Sequence, residues 1–128
     1  MQSRPCVVVL TYARPDSLAL LLDDLEREST AGGLDVRVYD DGTPSPDPAL
    51  AERIRRLGWR YRLAPHNHGK QEWWRWWNTI LADLRGSTPP LTYVLNDDMR
   101  LCAGFFERSV ALWNAIDDPQ KEIGRAHV

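Results

Sequence analysis

The chain has 128 residues, enough for one domain with a buried core. Hydrophobic residues make up 43% of the sequence and charged residues 27%, which is typical of a soluble globular protein and not of a disordered chain. The formal net charge of −2 gives no reason to expect nucleic acid or an anionic membrane as a partner, and no apolar run is long enough to span a bilayer.

The two cysteines, Cys6 and Cys102, are isolated in the sequence and lack the paired spacing of a zinc site. Two free thiols are compatible with a reducing cytosol, so we expect a cytoplasmic protein. We also expect both thiols to lie in or near the core, because unpaired cysteine behaves as a small hydrophobic residue.

The first third of the chain predicts two strands and one helix. Cys6–Thr11 is a continuous apolar run, as in a parallel strand that is covered on both faces. Pro15 favours the first turn of a helix. The apolar face of this helix follows helical spacing and consists of Leu18, Leu21, Leu22 and Leu25. A second strand alternates over 34–39 and stops at Asp40 and Asp41.

The rest of the chain continues this alternation of strands and helices. We predict a short helix over 48–57, a third strand over 59–63, a long helix over 70–84, a fourth strand over 91–95 and a last helix from residue 104. Two arginines in the third strand favour a position near the edge of a sheet. Strands and helices that alternate in this way predict right-handed crossovers and a mainly parallel sheet, which is a Rossmann-like α/β fold.

Polar side chains follow three of the predicted strands. They are Thr11 and Tyr12 after the first, Asp40 and Asp41 after the second, and Asn96, Asp97 and Asp98 after the fourth. The carboxyl ends of parallel strands share one edge of the sheet, and ligands bind beyond that edge. Adjacent carboxylates repel each other, and a cation such as Mg²⁺ or Mn²⁺ relieves the repulsion and can hold a diphosphate. The structural alternative for the last group is a solvated turn.

The long helix carries a stripe of aromatic residues. Its core face is predicted to be Trp73, Trp77, Ile80 and Leu84, flanked by Trp76 and Leu81, with Trp74 to one side and open to solvent. Lys70 begins this helix and either reaches a phosphate or is an ordinary solvated lysine. His66 and His68 are interpreted as loop residues, since no third ligand lies at metal spacing.

Four segments of the sequence resemble family 2 glycosyltransferases of the GT-A fold. They are 7–15, 38–43, 67–70 together with Asn78, and 95–98. The resemblance implies a Rossmann-like GT-A three-layer sandwich with a mainly parallel sheet. It also implies a hexosyltransferase-type enzyme that takes a nucleotide-diphosphate sugar, with a UDP-sugar favoured and inverting transfer to an acceptor such as a glycan, lipid or protein.

The resemblance also implies roles for residues at the strand ends. The residues implied to pack on the nucleotide base are Thr11, Tyr12 and Arg14. Asp40 is implied to accept a hydrogen bond from the base N–H, with Asp41 as a helper.

The implied metal motif follows the fourth strand. Asp98 is implied to ligate a Mn²⁺ or Mg²⁺ ion that bridges the diphosphate, and Asp97 to face the sugar or ribose. Asn96 stands where the family's metal motif begins with Asp. Its amide oxygen can ligate a cation but brings no charge, so more of the metal binding rests on Asp98.

The resemblance ends at about Ile116, and the family's domain continues beyond this point into an acceptor-binding half. We therefore interpret 1–119 as the N-terminal donor-binding part of a GT-A domain, truncated after the metal-motif strand and one helix. Residues 122–128 resemble the in-frame translation of a sequencing adapter, so 120–128 is interpreted as an artefactual tail. In the family the catalytic base lies in the missing half. No catalytic residue is assigned, because none of the later acids is placed to reach an acceptor: Glu107, Asp117 and Asp118.

Two other function classes deserve comparison with this one. The segment 40–43 is similar to the Asp-x-Asp-Gly-Thr motif of haloacid-dehalogenase phosphatases, but it places Tyr39 where the nucleophilic aspartate belongs. That motif also follows the first strand of its family, not the second. The second alternative is a non-catalytic protein that binds a nucleotide sugar, and it is retained because Asn96 weakens the metal motif.

Overall fold

The computed structural model describes residues 4–29, 33–85 and 91–116. Strands and helices alternate along these residues as the sequence predicts. The elements are β1 (Cys6–Thr11), α1 (Pro15–Glu28), β2 (Asp35–Asp40), α2 (Pro48–Arg56), β3 (Arg60–Leu63), α3 (Gly69–Leu84), β4 (Thr92–Asn96) and α4 (Phe105–Ala115). No described helix combines the length and apolar character needed to cross a membrane.

The four strands form one parallel sheet in the order β3-β2-β1-β4. β1 lies in the middle, where Val7 pairs with Val36 of β2 on one side and with Tyr93 of β4 on the other. The predicted parallel sheet is therefore confirmed, and β3 lies at an edge as its arginines indicate. All four strands run in the same direction, so their carboxyl ends lie along one rim.

The two faces of the sheet are covered by different helices. Successive side chains of a strand point to opposite faces, so Val7 and Val9 lie in one core cluster and Val8 in another. The larger cluster contains buried residues of α1, α2 and α4, among them Leu21, Ile54 and Phe106. The smaller cluster contains Trp76 and Ile80 of α3. The fold is thus a helix–sheet–helix sandwich of three layers.

The buried face of α3 differs from the predicted one. Trp76 and Ile80 are buried, whereas Trp73 and Trp77 are only partly buried against the same cluster. Trp76 packs edge-on against Tyr39 of β2, with ring centroids 6.0 Å apart. The helix is therefore rotated so that a flanking residue of the predicted stripe becomes its centre. Trp74 is exposed, as expected.

One cysteine contradicts the sequence interpretation. Cys6 is buried in β1, as expected, but Cys102 is exposed in the segment between β4 and α4. That segment crosses the surface before α4 begins, so the thiol at this position does not meet the core. The predictions for 120–128, Asp117 and Asp118 concern positions outside the described residues.

Candidate functional site

A cleft of about 410 Å³ lies at the carboxyl rim of the sheet, above β1 and β4. It brings together all of the predicted site residues except Asp40 and Lys70. Its lining consists of Leu10, Thr11, Tyr12, Arg14, Asp41, Trp73, Asn96, Asp97 and Asp98. Since these residues come from β1, β4, α3 and the turns that follow β1, β2 and β4, the cleft forms only when these three strands lie side by side.

Asp97 connects the ends of the two strands that form the floor of the cleft. It is buried, and its Oδ2 accepts a hydrogen bond from Thr11 Oγ1 at 2.9 Å and from Tyr12 N at 3.4 Å. Its own backbone N–H donates to the carbonyl of Leu10 at 3.0 Å. Asp97 is thus bonded through its carboxylate and its backbone to three consecutive residues at the end of β1, so its side chain has little freedom to move.

Asp98 points outward beside Asp97, and its side chain is 59% exposed. Arg14 Nη1 lies 3.5 Å from Asp98 Oδ2 and 3.6 Å from Asp97 Oδ1. The guanidinium therefore neutralises part of the charge of both carboxylates. Asn96 is exposed next to them and lines the same cleft.

The donor groups at this position suit a hard divalent cation. Mg²⁺ and Mn²⁺ prefer oxygen ligands, and Mg²⁺ in particular is often held by one or two carboxylates together with phosphate oxygens and water. Asp98 and the Asn96 amide oxygen provide such a partial set. Over the three described stretches of chain, no group of three or more His, Cys, Asp or Glu side chains forms a complete cage. The residues present therefore fit a cation that a bound diphosphate helps to hold.

Asp41 lies at the other wall of the cleft and is held by the loop before α3. Its Oδ1 accepts a hydrogen bond from the backbone of His68 at 3.1 Å and lies 2.6 Å from His68 Nδ1. Asn67 Nδ2 donates to Asp41 Oδ2 at 3.2 Å and to its carbonyl at 3.0 Å. The His68 ring also stacks on Trp76 at 5.4 Å. His68 lies in the loop, as the sequence predicts, but no local pattern indicates its contacts with Asp41 and Trp76.

Asp40 is buried below the cleft, where its bonds lead away from Asp97 and Asp98. Its Oδ1 accepts from Thr43 N at 2.9 Å and from Thr43 Oγ1 at 2.6 Å, and its Oδ2 accepts from Tyr61 at 2.6 Å. Burial, followed by this hydrogen bond, raises the pKa of Tyr61 above its usual range. Asp40 lines a neighbouring cavity of about 330 Å³ between the turn after β1 and the loop after β2.

The structure places Trp73 of α3 in the cleft lining and Lys70 outside it. Trp73 was expected in the core, but its partly buried side chain lines the cleft. Lys70 is exposed in the first turn of the helix and is not part of the cleft lining. The helical rotation that buries Trp76 accounts for the position of Trp73, and the spacing of apolar residues alone did not define that rotation.

Comparison with known proteins gives a fold but no family. No family model and no curated protein matches the chain. The fold is similar to that of S. aureus TarS (17% identity, TM-score 0.70), covering 87% of this chain and 19% of TarS. TarS 1-349 in complex with UDP-GlcNAc is similar over 87% of this chain and 31% of that one (17% identity, TM-score 0.67).

A further similar structure is the mannosyltransferase PcManGT from Pyrobaculum calidifontis in complex with GDP-Man and Mn²⁺. It is 20% identical with a TM-score of 0.68, and the match covers 94% of this chain and 34% of that one. The chain thus spans about a third or less of the length of these matched proteins. The comparisons confirm the predicted α/β fold of the GT-A type.

Proposed function

We propose that the chain forms the donor-binding part of a glycosyltransferase and binds a nucleotide-diphosphate sugar in the cleft at the sheet rim. The observation that carries this proposal is the meeting of Tyr12, Asp41, Asn96 and Asp98 at the carboxyl ends of parallel strands. Similar folds solved with UDP-GlcNAc and with GDP-Man and Mn²⁺ support it. The part is proposed to correspond to 1–119.

The base is proposed to bind near the turn after β1. Tyr12 is 41% exposed and offers an aromatic surface, and Trp73 lines the same cleft. A carboxylate nearby suits the ring N–H of uracil, so UDP is the favoured nucleotide. Asp41 meets the cleft directly, whereas contact through Asp40 requires the base to enter the neighbouring cavity.

The diphosphate is proposed to bind beside Asp98 with a divalent cation, Mn²⁺ or Mg²⁺. Such a cation neutralises the negative charge that develops on the departing diphosphate. Asp98 and Asn96 would hold it, and Asp97 would face the sugar or ribose from its fixed position. Arg14 already lies between the two carboxylates, from where it can pair with phosphate oxygens. Thr11 completes the floor, and Lys70 is proposed to approach the phosphates from α3.

The chemical step requires a group outside these residues. Inverting transfer needs a general base that takes the proton of the acceptor hydroxyl. Glu107 follows β4, but it is exposed on α4 and does not line the cleft. We therefore propose that the base and the acceptor site belong to another part of the whole protein, and that the chain alone binds the donor without transferring the sugar.

Calorimetric titration with UDP, with and without Mn²⁺, tests the proposal. We expect tighter binding with Mn²⁺, loss of this gain in Asp98→Ala and a larger gain in Asn96→Asp, because one variant removes and the other adds a charged ligand. Glu107→Ala is the matched control, since it removes an exposed carboxylate outside the cleft. Equal UDP affinity with and without Mn²⁺ would exclude the proposed metal site, and no UDP binding would exclude the donor site.

The phosphatase alternative is not supported by the geometry. Its nucleophile would be Tyr39, whose side chain is buried against Trp76. Burial raises the pKa of Tyr39 to about 12, so the phenolate is not formed near neutral pH. A non-catalytic binder is favoured by one residue, Asn96, which lacks the charge of a metal-binding aspartate. Sugar transfer by the full-length protein would distinguish an enzyme from such a binder.

A further inference from the structure

Asp24 is a buried carboxylate on α1 that lies away from the cleft lining. Only 2% of it is exposed, and its neighbours Leu21 and Leu25 on the helix are fully buried. A carboxylate in such surroundings is strongly unfavourable unless charged or hydrogen-bonding groups compensate it. The partners of Asp24 therefore indicate which part of the fold depends on it.

These partners come mainly from the segment 97–104, which we call the β4–α4 loop. Asp24 Oδ2 accepts from Arg100 Nε and from Leu101 N, both at 2.8 Å. Its Oδ1 accepts from Arg100 Nη2 at 3.0 Å and from Arg27 Nη1 at 3.2 Å. Arg27 also donates to the Leu101 carbonyl at 2.7 Å. Leu101 is thus held at both of its backbone polar groups.

The same loop carries the two carboxylates of the cleft. Its first anchor is the sheet, where Asp97 N donates to the Leu10 carbonyl at 3.0 Å. Its second anchor is the contact of Arg100 and the following residue with Asp24. Asp98 lies between the two anchors, and its own side chain is mostly exposed. The position of Asp98 therefore depends on both ends of this short segment.

The other carboxylates in the second half of α1 have different partners. Asp23 and Glu26 are exposed and form ion pairs with Arg53 of α2. Glu28 accepts hydrogen bonds from Phe105 N at the start of α4 and from the backbone of Gly104, the last residue of the loop. Asp24 is thus distinguished by its bonds to Arg100 and Leu101 in the middle of the β4–α4 loop, and Asp23 provides the same chemical group on the same helix without that contact.

We infer that Asp24 is a positioning residue, which holds the β4–α4 loop so that Asp97 and Asp98 keep their places in the cleft. It touches no ligand and acts through Arg100 and Leu101. The consequence for ligand binding rests on the proposed function, whereas the hold on the loop does not. The experiment therefore measures the two separately.

The experiment compares Asp24→Asn with Asp23→Asn in the same chain. Hydrogen exchange without ligand reports the loop, and we expect amide exchange over 97–101 to become about tenfold faster in Asp24→Asn and to stay unchanged in Asp23→Asn. Titration with UDP reports the consequence. There we expect the increase in UDP affinity that Mn²⁺ provides to be about tenfold smaller in Asp24→Asn than in the wild type, because displaced ligands no longer meet the cation. Its affinity for UDP without Mn²⁺ should change less than about twofold.

Arg100→Gln serves as a second variant if Asp24→Asn does not fold. The Arg100 side chain is 56% exposed, so the change removes the guanidinium bonds to Asp24 without emptying a buried position. Unchanged exchange over 97–101 in a folded variant overturns the inference, and so does faster exchange with an undiminished Mn²⁺ gain. If the wild type does not bind UDP but exchange over 97–101 responds as expected, the proposed function fails and the positioning role stands.

Discussion

Gly42 lies at the turn after β2, where the wall of the cleft meets the loop before α3. Its φ of +82° is unfavourable for any residue with a side chain. A Cβ at this position would also overlap the backbone of His66 and lie 2.6 Å from Asn67 N. Gly42→Ala therefore combines backbone strain with a steric overlap against main-chain atoms, which cannot be relieved by a rotamer change.

Gly58 separates these two contributions. Its φ is +78°, but a Cβ there would meet no atom within 4 Å. Gly58→Ala should cost only the strain of the left-handed conformation, about 1–2 kcal/mol. Gly42→Ala should cost this amount and about 1–3 kcal/mol more for the overlap.

Urea denaturation of the two variants measures the difference. With a slope of about 1–3 kcal/mol per M urea for a small protein, the midpoint of Gly42→Ala should lie about 1 M below that of Gly58→Ala. Since Asn67 and His68 both bond to Asp41, we also expect weaker UDP binding in Gly42→Ala alone. Equal midpoints would refute the reasoning, because they would show that the loop before α3 moves away from the added Cβ without loss of unfolding free energy.

Two further predictions concern buried carboxylates. The hydrogen bond from Arg100, with the other partners, lowers the pKa of Asp24 from 3.8 to about 2, so its stabilisation is present above pH 4 and is lost as the pH falls towards 2. Between these values the wild type should lose about 2 kcal/mol of unfolding free energy more than Asp24→Asn, measured by urea denaturation at each pH, and parallel curves would contradict this. Tyr61→Phe removes a bond to the buried carboxylate of Asp40 and should cost about 1.5–3 kcal/mol. Tyr93→Phe removes a bond to a neutral serine and should cost about 1 kcal/mol, so a thermal unfolding scan that gives equal losses for the two would contradict the argument.

The sequence was sufficient for the elements and the rim because local patterns determine both. The apolar run Cys6–Thr11 forms β1 at the predicted bounds, and the polar groups after β1, β2 and β4 meet at one edge. Their meeting follows from parallel strands alone. By contrast, the order of the strands and the role of Trp73 depend on how helices rotate and stack on the sheet. The spacing of apolar residues predicts that a helix has a buried face, but it does not determine which of several neighbouring residues lies at the centre of that face.

Contacts between distant parts of the chain could not be predicted. In the sequence, Asp24 is simply a polar residue beside a leucine stripe. Its partner Arg100 lies far along the chain, and no local pattern predicts that the two residues are in contact. His68 is similar, since its bond to Asp41 exists only once the loop before α3 lies against the end of β2. The resemblance covers His68 within the segment 67–70 without giving it a role, and none of its segments contains Asp24 or Arg100. It did not indicate which side chains hold the site in place.

The central position of β1 also determines the order in which the protein assembles. Cys6 pairs with Asp35 across the short β1–α1–β2 unit, but with Thr92 across most of the described chain. The second loop is about three times longer, and closing it costs about 1 kcal/mol more in chain entropy. We therefore expect the first three elements to form early and β4 to join late. Until β4 docks, β1 has an open edge that can pair with another chain. Slow docking of β4 would therefore appear as aggregation during refolding, at concentrations where the finished protein remains dissolved.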